Sequence, residues 1–121
     1  MNFTEQVYLG DLLKYEEESR YSRDVITVAA GQNLKLGAVL GMLGNKAVAL
    51  NPSATDGSEI AIGILIHDID ATTADVETVM VSRNVTVSDL YVVWTTGITT
   101  TQMNTAIAQL QMLGIVIRKG A

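Results

Sequence analysis

Between Ile60 and His67 isoleucine occupies every second position, and no residue carries a fixed charge. In an extended chain Ile60, Ile62, Ile64 and Ile66 fall on one face, and Ala61, Gly63, Leu65 and His67 fall on the other. The two-residue period and the β-branched residues predict a strand. Because neither face is polar, the strand is expected to be central and covered on both sides.

The rest of the chain from Val25 onward supplies further strands. Val25-Ile26-Thr27-Val28 reads as a strand, and Gly31-Gln32-Asn33 carries turn residues. Leu34, Leu36, Ala38 and Leu40 alternate as a second strand, broken by Gly41 and Gly44, and Asn45-Lys46 makes a tight turn. Ala47 to Leu50 is a short third strand. A loop follows over 51–57, with the only proline, Pro52, and an Asp56-Gly57 turn signal. Asp68 to Asp75 is an acidic, Thr- and Ala-containing connection. Val76 to Ser82 and Val85 to Val87 are further strands divided by Arg83-Asn84, and Tyr91 to Trp94 is another apolar β segment.

One helix is expected. Met103, Ala106, Ile107, Leu110 and Leu113 recur at three- and four-residue spacing and form one apolar stripe. Thr99 and Gln102 have capping-box spacing, with Thr100 or Thr101 as other cap candidates, and Gly114 suits the residue after the C-cap. Ile115 to Arg118 closes the chain as a strand. The predicted class is therefore mainly β (β-rich α+β): a small barrel- or sandwich-like domain over 25–121, with one C-terminal helix packed across an open side of the sheet.

The first 24 residues differ. They hold Glu5, Asp11, Glu16, Glu17, Glu18 and Asp24 against Lys14, Arg20 and Arg23, together with Phe3, Tyr8, Tyr15 and Tyr21. A solvated tail has no need of four aromatic side chains. Residues 1–24 are therefore read as an extended N-terminal arm that orders on a partner, its tyrosines serving as anchors.

Charge narrows the partners. Eight basic residues against thirteen acidic ones give a net charge of −5, with no basic cluster. Phosphate neutralisation is therefore not available to this chain, and neither nucleic acid nor an anionic membrane surface is an expected partner. With no cysteine, disulfides, thiolate catalysis and Cys-ligated metals are excluded. Met1 to Glu5 lack the basic start of a signal peptide, and Ile60 to Ile66 is too short to span a bilayer. The chain is thus expected to be synthesised in a cytoplasm and to stay soluble. Asn2 and Asn84 open N-x-Thr sequons, read as chance occurrences without a secretory signal. Only 17% of residues are charged against 48% apolar, which fits either a partner-covered surface or a compact β domain.

Catalytic chemistry finds little support. His67 is the only histidine, and with Asp68 and Asp70 it falls short of the ligand set a zinc site needs. Asp68, Asp70, Asp75 and Glu77 match no EF-hand spacing. Gly37 to Gly41 lacks the spacing of a dinucleotide loop, and no nucleophile elbow or Walker loop is present. No metal, cofactor or catalytic residue is assigned, and the chain is not read as an enzyme. Trp94 is expected in the core.

The stretch Gly31-Gln32-Asn33-Leu34-Lys35-Leu36-Gly37-Ala38-Val39-Leu40-Gly41 resembles a segment of the lambda-type head decoration family of tailed phages. Thr55-Asp56-Gly57, followed by Ile62-Gly63-Ile64-Leu65, is similar to that family's next segment. Leu90 to Trp94, a polar helix and Gly114-Ile115-Val116-Ile117 repeat its C-terminal order. Tyr21-Ser22-Arg23-Asp24-Val25 resembles the lead-in of its longer-armed members, and the likeness spans roughly Tyr15 to Ile117. The arm is acidic and Tyr-bearing here, where the lambda protein has a Pro/Ala-rich one.

The resemblance implies a homotrimer on the outer surface of the virion capsid, seated at local three-fold positions of the expanded head. There it would clamp neighbouring major capsid protein subunits against DNA pressure. The expected capsid contact runs from Leu12 to Val25 through Leu12, Tyr15, Glu17, Tyr21, Arg23 and Val25, with Tyr15, Tyr21 and Arg23 as anchors. Two other readings remain open at this point: a small sandwich or barrel module binding a glycan or other ligand, and a small hydrolase or metal enzyme using His67.

Overall fold

The structure is a computed structural model and describes residues 13–16 and 22–119. In chain order the elements are β1 (Leu13–Glu16), β2 (Arg23–Val28), β3 (Gln32–Leu34), β4 (Val39–Leu43), β5 (Lys46–Ala49), β6 (Gly63–Leu65), β7 (Ile69–Ala71), β8 (Val76–Val81), β9 (Val85–Ser88), α1 (Thr100–Met112) and β10 (Ile115–Arg118). Five strands close a barrel in the order β2-β5-β4-β6-β8. A second sheet runs β1-β9-β10, with β9 antiparallel to β1 and parallel to β10, and β3 pairs with β7 in a two-stranded ribbon.

The expectation of a strand covered on both faces is met in the barrel wall, and the reason is two cores rather than one. Ile26, Val28, Leu40, Leu65 and Met80 point into the barrel and pack together. Their neighbours Val39, Ile64 and Val81 point outward, against Leu110 and Ala106 of α1 and against Val85, Val87 and Ile115 of the second sheet. β4, β6 and β8 therefore need apolar residues at successive positions. Fully burying a side chain such as Ile64 or Leu65 stabilises by about 1.5–3 kcal/mol relative to exposure, and both are completely buried here.

Several elements depart from the sequence reading. The regular strand around Ile64 is confined to Gly63–Leu65, and Ile60 is half exposed. On its N-terminal side the chain makes irregular bonds: Ala61 N–H donates to Gln109 Oε1 of α1 at 2.8 Å, and Ile62 N–H donates to Leu40 O. The expected strand from Leu34 to Leu40 is two strands, because Gly37 turns the chain with a φ of +96°. There Val93 N–H donates to Gly37 O at 2.8 Å, so the chain bends to admit the 91–94 segment. That segment is itself not a strand: its backbone pairs with the barrel at an Ala38–Val93 bridge, and Val92 packs into the outer core. Gly41 does not break β4 but lies within it, because the Ser58 backbone approaches so closely that no Cβ would fit. The acidic connection over 68–75 contains a strand, β7.

The helix follows its local signals. Thr99 Oγ1 accepts from Gln102 N–H and Gln102 Oε1 accepts from Thr99 N–H, a complete capping box. Gly114 follows the Leu113 C-cap with a φ of +86°. Of the predicted stripe, Ala106 and Leu110 are buried, whereas Leu113 is exposed, since the helix touches the fold along its middle and releases its end. Trp94 is half-buried at the margin of the outer core.

Candidate functional site

The expected contact residues divide between two sheets. Leu12, Glu17 and Tyr21 lie outside the described residues. Tyr15 is in β1, level with Thr86 of β9, and a register shift between Leu13 and Tyr15 marks a bulge in that pairing. The segment read as part of the arm thus has a partner strand within its own chain at Leu13–Glu16. Arg23 and Val25 stand on β2, level with Val81 and Val79 of β8. These two residues belong to the barrel wall. Val25 is 67% exposed.

The start of β2 is fixed by a polar cluster that the sequence did not disclose. Ser82 Oγ donates to Asp24 Oδ2 at 2.7 Å, and Arg83 Nη2 donates to the same oxygen at 2.6 Å. Ser82 N–H also donates to Ser22 O at 2.8 Å. The Ser82 hydroxyl, with the Arg83 guanidinium behind it, holds the Asp24 carboxyl below the usual carboxylate range. The chain entering the barrel is therefore clamped to the turn between β8 and β9, close to where β1 is seated.

The other carboxylates singled out from the sequence serve turns. Asp68 Oδ1 accepts from Leu36 N–H at 2.8 Å. Asp70 Oδ1 accepts from the Thr72 N–H and hydroxyl, which lowers its pKa, the hydroxyl contributing most. Asp75 pairs with Lys46 at 2.6 Å and accepts from Ala30 N–H, and Lys46 is the main cause of its lowered pKa. His67 is exposed beside them. Among the described residues no three His, Cys, Asp or Glu side chains gather to hold a metal ion. No helix among them is long and apolar enough to cross a membrane.

Open grooves mark the surface formed by the described residues. One, of about 350 Å³, runs past Asn33, Lys35, Val93, Trp94 and Thr96. Gln32 also lines it, but its Oε1 accepts from Ala49 N–H. Another, of about 420 Å³, lies along β2 beside the end of the β4–β5 hairpin. Both suit contact with a macromolecular surface better than enclosure of a small substrate.

No curated protein matches the chain at a significant level. The family model described as bacteriophage lambda head decoration protein D matches residues 2–115. That span runs from ahead of β1, through the whole barrel and α1, to the first residue of β10. The chain belongs to the bacteriophage lambda head decoration protein family.

Proposed function

We propose that this protein docks as a homotrimer on the outer surface of the expanded phage head, at local three-fold positions, and stabilises the shell against DNA pressure by bridging major capsid protein subunits. Membership of the head decoration family gives the capsid decoration role itself. The observation that carries the finer reading is that this family likeness embraces the segment ahead of the barrel as well as the barrel. The docking contact is assigned to residues from Leu12 to Val25, the stretch that leads from β1 into β2.

Physical considerations support that assignment. A decoration protein must stay undocked until expansion creates its site. Backbone pairing with a capsid strand meets this need, because such bonds form only when the acceptor edge is presented. Ordering a segment on binding lowers the affinity of each copy, and three linked copies restore it by raising the effective concentration of the second and third contacts. The absence of a basic cluster is in keeping with a protein on the outside of a shell, remote from the DNA.

Co-sedimentation with expanded, undecorated shells of its own phage tests the reading. Saturation near one copy per major capsid subunit, with no pelleting on unexpanded shells, is the expected result. A folded protein that fails to pellet with expanded shells refutes it.

A further inference from the structure

Antiparallel pairing sends the backbone groups of alternate residues to opposite edges of a strand. Ser82 N–H donates to Ser22 O, so Ser22 and Ser82 form a hydrogen-bonded pair at the start of the β2–β8 ladder. Asp24, Ile26 and Val28 then face β8, and the N–H and C=O of Val25 face the opposite edge. On that edge the neighbour is β5, yet the two strands meet only at Val28 and Ala47, with Ala29 N–H donating to Ala47 O. They run parallel there, which puts Lys46 level with Thr27. The turn at Gly44–Asn45 then removes the partner strand while β2 still has residues to pair.

Among the described residues no strand pairs with this edge at Val25, and it borders the groove lined by Val25, Thr27, Met42, Asn45, Glu77 and Met80. Its lining mixes the polar Asp24, Thr27, Asn45 and Glu77 with apolar side chains, and Val25 is 67% exposed and Leu43, at the end of the hairpin, 46% exposed. An open strand edge beside exposed apolar side chains is an association site unless something covers it. An added strand would continue the line of β5 along β2. Its backbone would bond at Val25, and its apolar side chains would meet Leu43 and the adaptable Met42 and Met80.

Charge selects the occupant. The ionisable side chains lining the groove are Glu77 and Asp24, both carboxylates. Arg83 is drawn to Asp24, and Lys46 is paired with Asp75. The chain's own first twelve residues carry Glu5 and Asp11 and no lysine or arginine, so the same segment of a neighbouring copy is repelled. We propose that the open edge of β2 at Val25 accepts an extended segment of the capsid subunit in which apolar residues alternate with lysine or arginine. The proposal rests on the capsid-docking reading above.

Val25→Pro in the full chain tests it. Proline removes the N–H that faces the groove but leaves the β8 ladder intact, since residue 25 does not bond on that side. The expected result is an unchanged circular dichroism spectrum and a shell-binding midpoint weakened roughly tenfold, the loss of one backbone hydrogen bond. Val25→Thr keeps the backbone N–H and binds more tightly than Val25→Pro. Glu77→Lys weakens binding, with a difference that shrinks as salt rises. Should Val25→Pro fail to fold, hydrogen exchange at the Val25 amide of the wild type decides: slowing on expanded shells supports the proposal, and unchanged exchange overturns it. Wild-type binding that Val25→Pro leaves unaltered overturns this inference alone. If Val25→Pro changes the oligomeric state of the free protein, the occupant is a second copy and the capsid assignment is overturned. Failure of the wild type to bind overturns the decoration reading, and this inference with it.

Discussion

Gly37 and Gly31 share a φ of +96°, yet they should respond differently to an added methyl group. At Gly31 a Cβ would meet open space. Gly31→Ala therefore bears only the strain of the left-handed conformation, about 1–2 kcal/mol. At Gly37 the Cβ would fall on the carbonyl oxygen of Tyr91, a backbone atom that cannot swing aside. Gly37→Ala adds overpacking of about 1–3 kcal/mol to the same strain. Urea denaturation should rank Gly37→Ala well below Gly31→Ala in stability, and equal midpoints would show that the 91–94 segment yields freely. Asp24 gives a second residue-scale test, this time of pH. Its folded pKa lies below the unfolded value of about 3.9. Its contribution is thus present above the unfolded pKa and is lost as pH falls through the folded one. Asp24→Asn should be less stable than wild type at neutral pH, and the gap should narrow on acidification below about pH 4. A gap of constant size from neutral pH to pH about 2 would mean that the Ser82–Asp24–Arg83 cluster is not the cause.

At the scale of elements, α1 was legible because its signals are local. The stripe around Ala106 and Leu110, the Thr99–Gln102 box and Gly114 all lie within one short window, and each reports the same helix. Two substitutions separate its start from its packing. Thr99→Ala removes one half of an exposed capping box and should cost about 1 kcal/mol. Leu110→Ala opens a hole in the outer core, between α1 and the second sheet, and should cost about 2–5 kcal/mol. Thermal melts of the two variants check the order. Strands were legible only where alternation ran undisturbed. β7 escaped because Ile69–Ala71 sits among turn-forming carboxylates and is a strand only by virtue of β3 opposite it. β3 and β4 merged because the alternation passes unbroken through Gly37, whereas the bend there comes from Val93, far along the chain. The candidate site was legible in part for the same reason. Val25 was visible as the head of an apolar run. The bonds of Asp24 to Ser82 and Arg83 span 58 and 59 residues and leave no local trace.

At the scale of the whole molecule, the low charge has a structural cause. β4, β6 and β8 are walls shared by two cores, so a chain with 17% charged residues can still bury its apolar side chains without a partner on every face. The chain enters the barrel where β1 leans on β9 and Asp24 ties β2 to Ser82 and Arg83. That arrangement dictates how a truncation must be designed. Removing residues 1–24 would cut into β2 and delete Asp24, confusing lost docking with lost folding. Two shorter deletions avoid this. Deleting residues 1–11 leaves Leu12 and β1 in place, and shell binding should match the full chain if the contact begins at Leu12. Deleting residues 1–21 spares Ser22 and β2 but strips β1 from β9. The barrel should still fold, with a lower melting temperature, since each 1 kcal/mol lost lowers Tm by about 4–8 °C in a domain of this class. Binding to expanded shells should vanish, because a weak contact repeated three times is lost three times over when each copy loses it. Co-sedimentation of both deletions against the full chain reads the outcome directly. Loss of binding on removal of residues 1–11 would move the contact ahead of Leu12. Full binding by the chain lacking residues 1–21 would leave the barrel face, with Val25 at its open edge, as the docking surface.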